Sequence, residues 1–119
     1  SEDARSAIGV PHPTGRAAMR MLEDEGFRAE GYVDIFDGGP TMVARTDNVT
    51  SVRNSVRSQV TGLSVGGGER AILATGHLAS FRACFGARLL DADGGVAIDS
   101  ASADLLDVCE GDTIWSVAR

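Results

Sequence analysis

The stretch GVPHPTGRAAMRMLEDEGFRAEGYVDIFDGGPT, residues 9–41, decides the first half of the fold. Apolar Ala18, Met21 and Leu22 recur at helical spacing, and charged residues occupy the opposite face. Thr14 is placed to cap the start of this helix, and Gly26 is placed to end it in a left-handed conformation. The pattern predicts one amphipathic helix that leads directly into a strand.

The residues after this helix predict two strands and a turn. GYVDIF, residues 31–36, is rich in β-forming side chains, and TMVARTD, residues 41–47, is the returning strand across the turn DGGPT. NVTSVRNS, residues 48–55, fits either a short helix or a strand, and we interpret it as a short helix.

From Val56 onward, short β segments are divided by glycine, a spacing typical of a small barrel or sandwich. The predicted segments are VRSQVTGLSV (56–65), AILATG (71–76), FRACFGARLL (81–90), GGVAID (94–99) and TIWSVA (113–118). VGGGER, residues 65–70, lacks the Lys-Ser/Thr ending of a phosphate-binding loop and instead predicts a hairpin connection.

The last third of the chain also predicts one short helix and several core residues. SADLLDVC, residues 102–109, reads as a helix capped by Ser102. Cys84 and Cys109 have apolar neighbours in the sequence, and Trp115 lies in the last strand. All three are therefore predicted to pack in the core. His77 follows a glycine and is predicted to be exposed. The chain is therefore predicted to be α+β, with a first part at residues 1–55 and a small β-rich, barrel-like domain at residues 56–119.

Charge and cysteine content limit the functional classes. The net charge is −6, which disfavours nonspecific binding to nucleic acid or to an anionic membrane and favours a cationic small molecule. The two cysteines lack CxxC spacing, so they predict neither a metal site nor a disulfide framework. A reducing, cytoplasmic setting fits this composition best.

His12 stands between Pro11 and Pro13, and it is the first candidate for chemistry. Its place before a helix N-terminus favours the neutral imidazole and should lower its pKa, so the ring could accept a proton. By sequence alone, a lone histidine is more often structural or simply exposed. Both interpretations remain open from the residues alone.

Asp34 and Asp37 are the second candidates, since they bracket the end of the predicted strand. A carboxylate there could bind a guanidinium or ammonium group through charge-assisted hydrogen bonds. Aspartates beside turns more often cap neighbouring N–H groups or are solvated. The sequence does not decide between the two.

The segments HP (12–13), LEDEGF (22–27), YVDIFDGGPT (32–41) and, more loosely, EGDTIWSVAR (110–119) resemble the C-terminal part of the arginine N-succinyltransferase family. This resemblance implies transfer of the succinyl group of succinyl-CoA to the α-amino group of arginine, the first step of an arginine degradation route in bacteria. It also implies the last helix and strands of a GNAT-like acyltransferase sheet, followed by an extra C-terminal β domain. The family's catalytic histidine, a proton donor in an HP motif, corresponds to His12.

One departure from this pattern affects the expected function. GNAT enzymes hold the CoA pyrophosphate with an Arg/Gln-x-x-Gly-x-Gly/Ala loop at a helix N-terminus, and this chain has no such loop. No cofactor is therefore expected on this segment, succinyl-CoA being a cosubstrate bound elsewhere. We expect the chain to be an incomplete part of an oligomeric enzyme, inactive without an N-terminal portion or partner chain.

Two other interpretations remain. The chain could be a noncatalytic assembly or regulatory β-barrel module of a larger enzyme, or a structural cap. Only the enzyme interpretation predicts that an ionisation disappears from the pH–rate profile when His12 is replaced. The sequence does not distinguish arginine from ornithine as the preferred substrate.

Overall fold

A computed structural model describes all of residues 1–119. The chain divides into two compact units, Ser1–Arg53 and Asn54–Arg119. None of its helices has the length and apolar character that crossing a membrane requires.

The first unit contains three short helices and a two-stranded antiparallel sheet. Its elements are α1 (Glu2–Ser6), a 3₁₀ turn (Pro13–Gly15), α2 (Arg16–Glu25), β1 (Arg28–Val33), β2 (Pro40–Val43), a second 3₁₀ turn (Thr46–Asn48) and α3 (Thr50–Arg53). The last helix confirms the short helix expected within residues 48–55.

Helix α2 begins two residues after the predicted cap. Gly15 occupies its N-cap position without a side-chain hydrogen bond, and Thr14 lies within the preceding 3₁₀ turn, which His12 caps. The prediction that Thr14 is the cap was wrong because Pro13, with its fixed φ, starts the turn one residue earlier. Gly26 ends α2 as predicted, with φ of +107°.

Strand β1 lies earlier than predicted, and Asp34 falls outside it. The Asp34 side chain accepts hydrogen bonds from the backbone N–H groups of the residues that follow it, which favours a turn over continued strand. Ile35 and Phe36, predicted to lie in the strand, are instead 88% and 92% exposed. The returning strand β2 is also shorter than the predicted 41–47.

The first unit has no buried residue. Its exposed large hydrophobic side chains are those of Ile8, Val10, Met21, Leu22, Tyr32, Val33, Ile35, Phe36 and Val52. Apolar surface of this extent commonly marks a contact with another protein segment.

The second unit is a closed five-stranded barrel, as the glycine-divided pattern predicted. Its strands are β3 (Val56–Gly62), β4 (Glu69–Thr75), β5 (Arg82–Leu90), β6 (Gly95–Ile98) and β7 (Thr113–Ala118). They follow one another around the barrel in the order β3-β6-β5-β4-β7, and β7 pairs with β3 to close it. Strands β3 and β6 run parallel, and the other neighbours are antiparallel. Closure leaves no strand edge open along the paired region.

The prediction of a hairpin connection at residues 65–70 was wrong, because β7 lies between β3 and β4 in the barrel. The glycine-rich segment is therefore a crossover to a strand that is not the neighbour of β3. Gly68 approaches the backbone of β5, where an added Cβ would lie 2.8 Å from the Arg88 carbonyl oxygen. The glycine serves close packing at this point.

Helix α4 (Ser100–Leu106) packs against β5 and is capped by Asp99, not by the predicted Ser102. The Asp99 carboxylate accepts from the Ser102 N–H at 3.0 Å, from the Ser102 hydroxyl at 2.8 Å and from the Ala87 N–H of β5 at 2.8 Å. Two residues with capping ability stand three apart, and the earlier one takes the position. Ser102 is buried within the helix.

The barrel core is apolar and contiguous with the inner face of α4. It consists of Val60, Ala71, Leu73, Val96, Ile98, Ala103, Leu106 and Ile114, with Cys84 packed against it. Two predicted core residues lie outside it, since Cys109 is exposed in a turn and Trp115 is 45% exposed. Side chains along β7 alternate between the two faces of the strand. Ile114 and Ser116 point inward, so Trp115 between them points outward.

One buried charge and one unpartnered hydroxyl lie among the buried polar groups of the barrel. The Arg88 guanidinium donates to Glu69 at 2.9 Å and to the Ser116 hydroxyl at 2.8 Å. The Ser58 hydroxyl oxygen is buried and has no hydrogen-bond partner. A buried hydroxyl without a hydrogen bond costs stability.

Candidate functional site

His12 is held by its own backbone turn. Its extended backbone, with φ of −58° and ψ of 146°, leads into the 3₁₀ turn Pro13–Gly15, whose Gly15 N–H donates to the His12 carbonyl at 2.8 Å. The ring nitrogen Nδ1 lies 2.7 Å from the Thr14 hydroxyl oxygen and 3.3 Å from the Thr14 backbone nitrogen. Nδ1 is thus engaged locally, and Nε2 is the ring nitrogen left for a ligand.

Asp34 and Asp37 shape the turn between β1 and β2. One oxygen of Asp34, Oδ1, accepts from the N–H groups of Phe36 at 2.7 Å and Asp37 at 3.3 Å. Oδ1 of Asp37 accepts from the Gly39 N–H at 2.7 Å. The capping role anticipated for aspartates near turns is therefore present at both positions, while Oδ2 of each carboxylate takes part in none of these bonds.

The structure brings His12, Asp34 and Asp37 to one open cleft of about 880 Å³ within the first unit. A backbone hydrogen bond from Gly9 N–H to the Gly38 carbonyl, at 2.7 Å, ties the segment before His12 to the aspartate turn. The apolar part of the lining comes from residues of α2, β2 and the segment before His12: Ala7, Val10, Pro11, Ala18, Met19, Leu22, Pro40 and Met42. The volume lies within the range of small-molecule sites, about 300–1,000 Å³.

Arg16, at the start of α2, also lines the cleft, and sequence reasoning did not single it out. The cleft thus combines an imidazole, two carboxylates and one guanidinium. Carboxylates attract an amine or guanidinium, and an imidazole can transfer a proton near neutral pH. Arg16 could pair with a carboxylate on the same ligand. The only sequence signal for Arg16 is its place four residues after His12, on the first turn of the helix.

A second open cavity, of about 900 Å³, lies elsewhere in the first unit and has a more evenly mixed charge. Its charged lining residues are Glu23, Asp24, Arg28, Glu30, Arg45 and Arg53. Arg45 is paired with Asp47 at 3.3 Å. This cavity contains neither His12 nor the two candidate aspartates.

The other reactive side chains do not form a site. His77 is exposed, as predicted. The Cys109 thiol donates to Asp112 at 3.6 Å, and this hydrogen bond and the negative charge of the carboxylate raise the pKa of the thiol. A raised thiol pKa disfavours the nucleophilic thiolate. No group of three or more histidine, cysteine, aspartate or glutamate side chains is arranged to hold a metal ion.

Comparisons with known proteins agree for both units. Residues 1–51 match the family model described as arginine N-succinyltransferase beta subunit, and residues 55–118 match the model described as its C-terminal domain. An arginine N-succinyltransferase of Yersinia pseudotuberculosis is 37% identical, over 99% of this chain and 36% of that protein. Subunit alpha of arginine N-succinyltransferase from Pseudomonas aeruginosa is 34% identical, over 97% of this chain and 34% of that protein.

A solved structure is similar over nearly the whole chain. Arginine/ornithine succinyltransferase subunit AI from Pseudomonas aeruginosa superposes with a TM-score of 0.82 at 33% identity, covering 99% of this chain and 36% of that one. The chain spans about a third of the length of the curated relatives it matches.

Proposed function

Since the chain belongs to the arginine N-succinyltransferase family, we propose that it is the C-terminal segment of an enzyme that transfers a succinyl group from succinyl-CoA to the α-amino group of arginine. The reaction would serve arginine catabolism in the cytoplasm. The observation that carries the proposal is the single cleft lined by His12, Asp34 and Asp37. The first unit would form the end of a GNAT-like acyltransferase sheet.

In this reaction the amine nitrogen attacks the thioester carbonyl carbon. A C–N bond forms, the C–S bond breaks with its electron pair staying on sulfur, and one proton must pass from the nitrogen to the sulfur. We assign this transfer to His12, which takes the proton from nitrogen and returns it to sulfur through Nε2. A well-placed general acid–base of this kind contributes about 10²- to 10⁴-fold to the rate.

The two aspartates are assigned to the guanidinium of arginine. Their Oδ1 atoms are used by the turn, so Oδ2 of each carboxylate can accept from the substrate. Two carboxylates fit a delocalised guanidinium, which has five N–H donors, better than a compact ammonium. We therefore expect arginine to be preferred to ornithine.

The enzyme's remaining parts are assigned to another segment. The first unit has no buried residue and exposes a large apolar surface, which the N-terminal portion or a partner chain would cover. Relatives are named as alpha and beta subunits, which is consistent with an oligomeric enzyme. Succinyl-CoA would bind mainly on that other segment.

The test is thiol release from succinyl-CoA with arginine, measured across pH on the enzyme assembled from this chain and its N-terminal counterpart. His12→Ala should lower kcat by about 10²-fold or more and remove one ionisation, as expected when a general acid–base is lost. His77→Ala, which changes the only other histidine of this chain, should behave like the wild type. An unchanged rate and pH profile in His12→Ala would overturn the catalytic assignment.

The aspartates need a separate measurement. Asp34→Asn and Asp37→Asn keep an acceptor oxygen for the turn but remove the charge, so KM for arginine should rise while KM for ornithine rises less. If both variants leave KM for arginine unchanged, the guanidinium assignment is wrong.

A second candidate function is a noncatalytic assembly module, and one observation favours it. The outer face of the barrel exposes Phe85 and Trp115, at 60% and 45%, and Arg70 lies over the Phe85 ring at 4.8 Å. Aromatic and arginine side chains are enriched in protein interfaces. If the barrel acts only in assembly, Phe85→Ser and Trp115→Ser should weaken association with the N-terminal portion, and His12→Ala should be silent.

A further inference from the structure

We propose that Thr14 is the positioning residue of His12, engaging Nδ1 through its hydroxyl so that Nε2 alone exchanges protons with the substrate. The proposal rests on the proposed function of His12 and adds a residue to it. Thr14 is not among the residues that line the cleft, and its hydroxyl contacts the imidazole, so we expect its effect on the reaction to pass through His12.

The contact between the two side chains is short and is built into the local backbone. Thr14 Oγ1 lies 2.7 Å from Nδ1, and the Thr14 N–H donates to the same nitrogen at 3.3 Å. Pro11 and Pro13 restrict the backbone on both sides of His12, and the 3₁₀ turn fixes Thr14 two residues later. The ring is therefore oriented before any substrate arrives.

A hydroxyl suits this position because it can both donate and accept. Nε2 can take a proton only when Nδ1 carries one, and the Nδ1–H then donates to the Thr14 hydroxyl oxygen. In the other neutral tautomer Nδ1 is bare and accepts from the Thr14 hydroxyl and N–H, while Nε2 holds the proton. The bond from Nδ1–H to the hydroxyl persists when Nε2 gains or loses its proton, so the ring can shuttle a proton at Nε2 without rotating. A base held by a third group is the usual arrangement for such catalysis.

Other charged groups share the cleft with the imidazole. Asp34, Asp37 and Arg16 all line it. A hydrogen bond that involves a charged partner is stronger than a neutral one, so the hydroxyl stabilises the imidazolium more than the neutral ring. Loss of the hydroxyl should therefore move the activity-linked ionisation to lower pH.

Thr14→Val and Thr14→Ser test the proposal in the assembled enzyme. Valine keeps the shape of threonine without the hydroxyl, and it should lower kcat by about tenfold, the factor that one hydrogen bond to a charged group contributes. KM should change by less than about twofold, because Thr14 is not among the residues that line the cleft. The ionisation in kcat/KM should move to lower pH. Thr14→Ser, which restores the hydroxyl, should return both kcat and the pH profile to within about threefold of the wild type.

Two outcomes overturn the proposal. Wild-type kcat in Thr14→Val would show that the hydroxyl is dispensable, and a serine variant as slow as the valine variant would assign the effect to packing. Thr14→Ala replaces valine in the comparison if the valine variant fails to assemble. His12→Ala distinguishes failure of the Thr14 proposal from failure of the proposed function. If His12→Ala is inactive and Thr14→Val is normal, only the role of Thr14 is overturned. If His12→Ala is active, the proposed function itself is overturned.

Discussion

Replacing Asp99 by alanine should destabilise the barrel by about 2–4 kcal/mol, because one carboxylate serves both α4 and β5. Loss of the helix cap costs about 0.5–2 kcal/mol. The Ala87 N–H, which would no longer donate to the Asp99 carboxylate, adds about 1–3 kcal/mol as an unsatisfied donor. Urea unfolding followed by the fluorescence of Trp115, the single tryptophan, would measure the change within the barrel.

Asp104→Ala is the matched control, since Asp104 is an exposed aspartate on the same helix and should change stability by less than about 0.5 kcal/mol. If Asp99→Ala destabilises the barrel no more than this control, the reasoning about the shared carboxylate is wrong.

Asp99 should also make the stability of the barrel depend on pH in the acidic range. Burial acts to raise the pKa of Asp99, but the hydrogen bonds from Ala87 and Ser102 outweigh it, so the pKa lies below its ordinary value of 3.8. A carboxyl whose pKa is lower in the folded state stabilises the fold above its unfolded pKa, and that contribution is lost as the pH falls through the folded pKa. As the pH is lowered below about 4, the Asp99→Asn variant should therefore lose less of its stability than the wild type loses. Asp91, whose pKa is lowered by hydrogen bonding from Gly95, keeps part of the acid dependence in both proteins. Identical acid curves for the two would contradict the assignment.

Two further predictions concern a buried hydroxyl and a helix end. Ser58→Ala should leave the barrel as stable or about 1 kcal/mol more stable, since its hydroxyl is unpartnered, whereas Ser116→Ala should cost about 1.5–3 kcal/mol because it removes the acceptor of buried Arg88. Urea midpoints of the two serine variants check this, and equal losses would contradict it. Gly26→Ala should destabilise α2 by about 1–3 kcal/mol, since φ is +107° and an added Cβ would collide with the Asn48 carbonyl. Gly15→Ala, at an N-cap position with open space and negative φ, should change stability by less than about 1 kcal/mol, and hydrogen exchange of the α2 amides would separate the two glycine variants.

The sequence predicted those elements that rest on local signals. The apolar spacing of α2, its end at Gly26 and the glycine-divided strands of the barrel each depend on a few neighbouring residues. The errors arose where neighbouring residues competed or where contacts were distant. Asp99 and Ser102 could each cap α4, and the pairing of β7 between β3 and β4 cannot be read from the glycine loop that follows β3.

The candidate site shows the same division between local and distant information. His12 and the aspartates were each identified from their neighbours, but their common cleft depends on the turn between β1 and β2 and on the Gly9–Gly38 hydrogen bond. The prediction that Thr14 caps the helix failed because the sequence does not reveal the 3₁₀ turn before α2, which contains Thr14 and is capped by His12. Trp115 was placed in the core because strand alternation does not itself say which face is inward.

The closed barrel has a consequence for the order in which its strands assemble. Both neighbours of β3 come from much later in the chain, since Gln59 pairs with Gly95 and Val56 with Ser116. The hairpin of β4 and β5 needs only a short loop, so it can form early, whereas β3 must wait for β6 and β7. Until then β3 exposes two unpaired edges that could join another chain. Folding of this unit should therefore be slow for its size, and its most aggregation-prone species should be one in which the first strand is still unpaired.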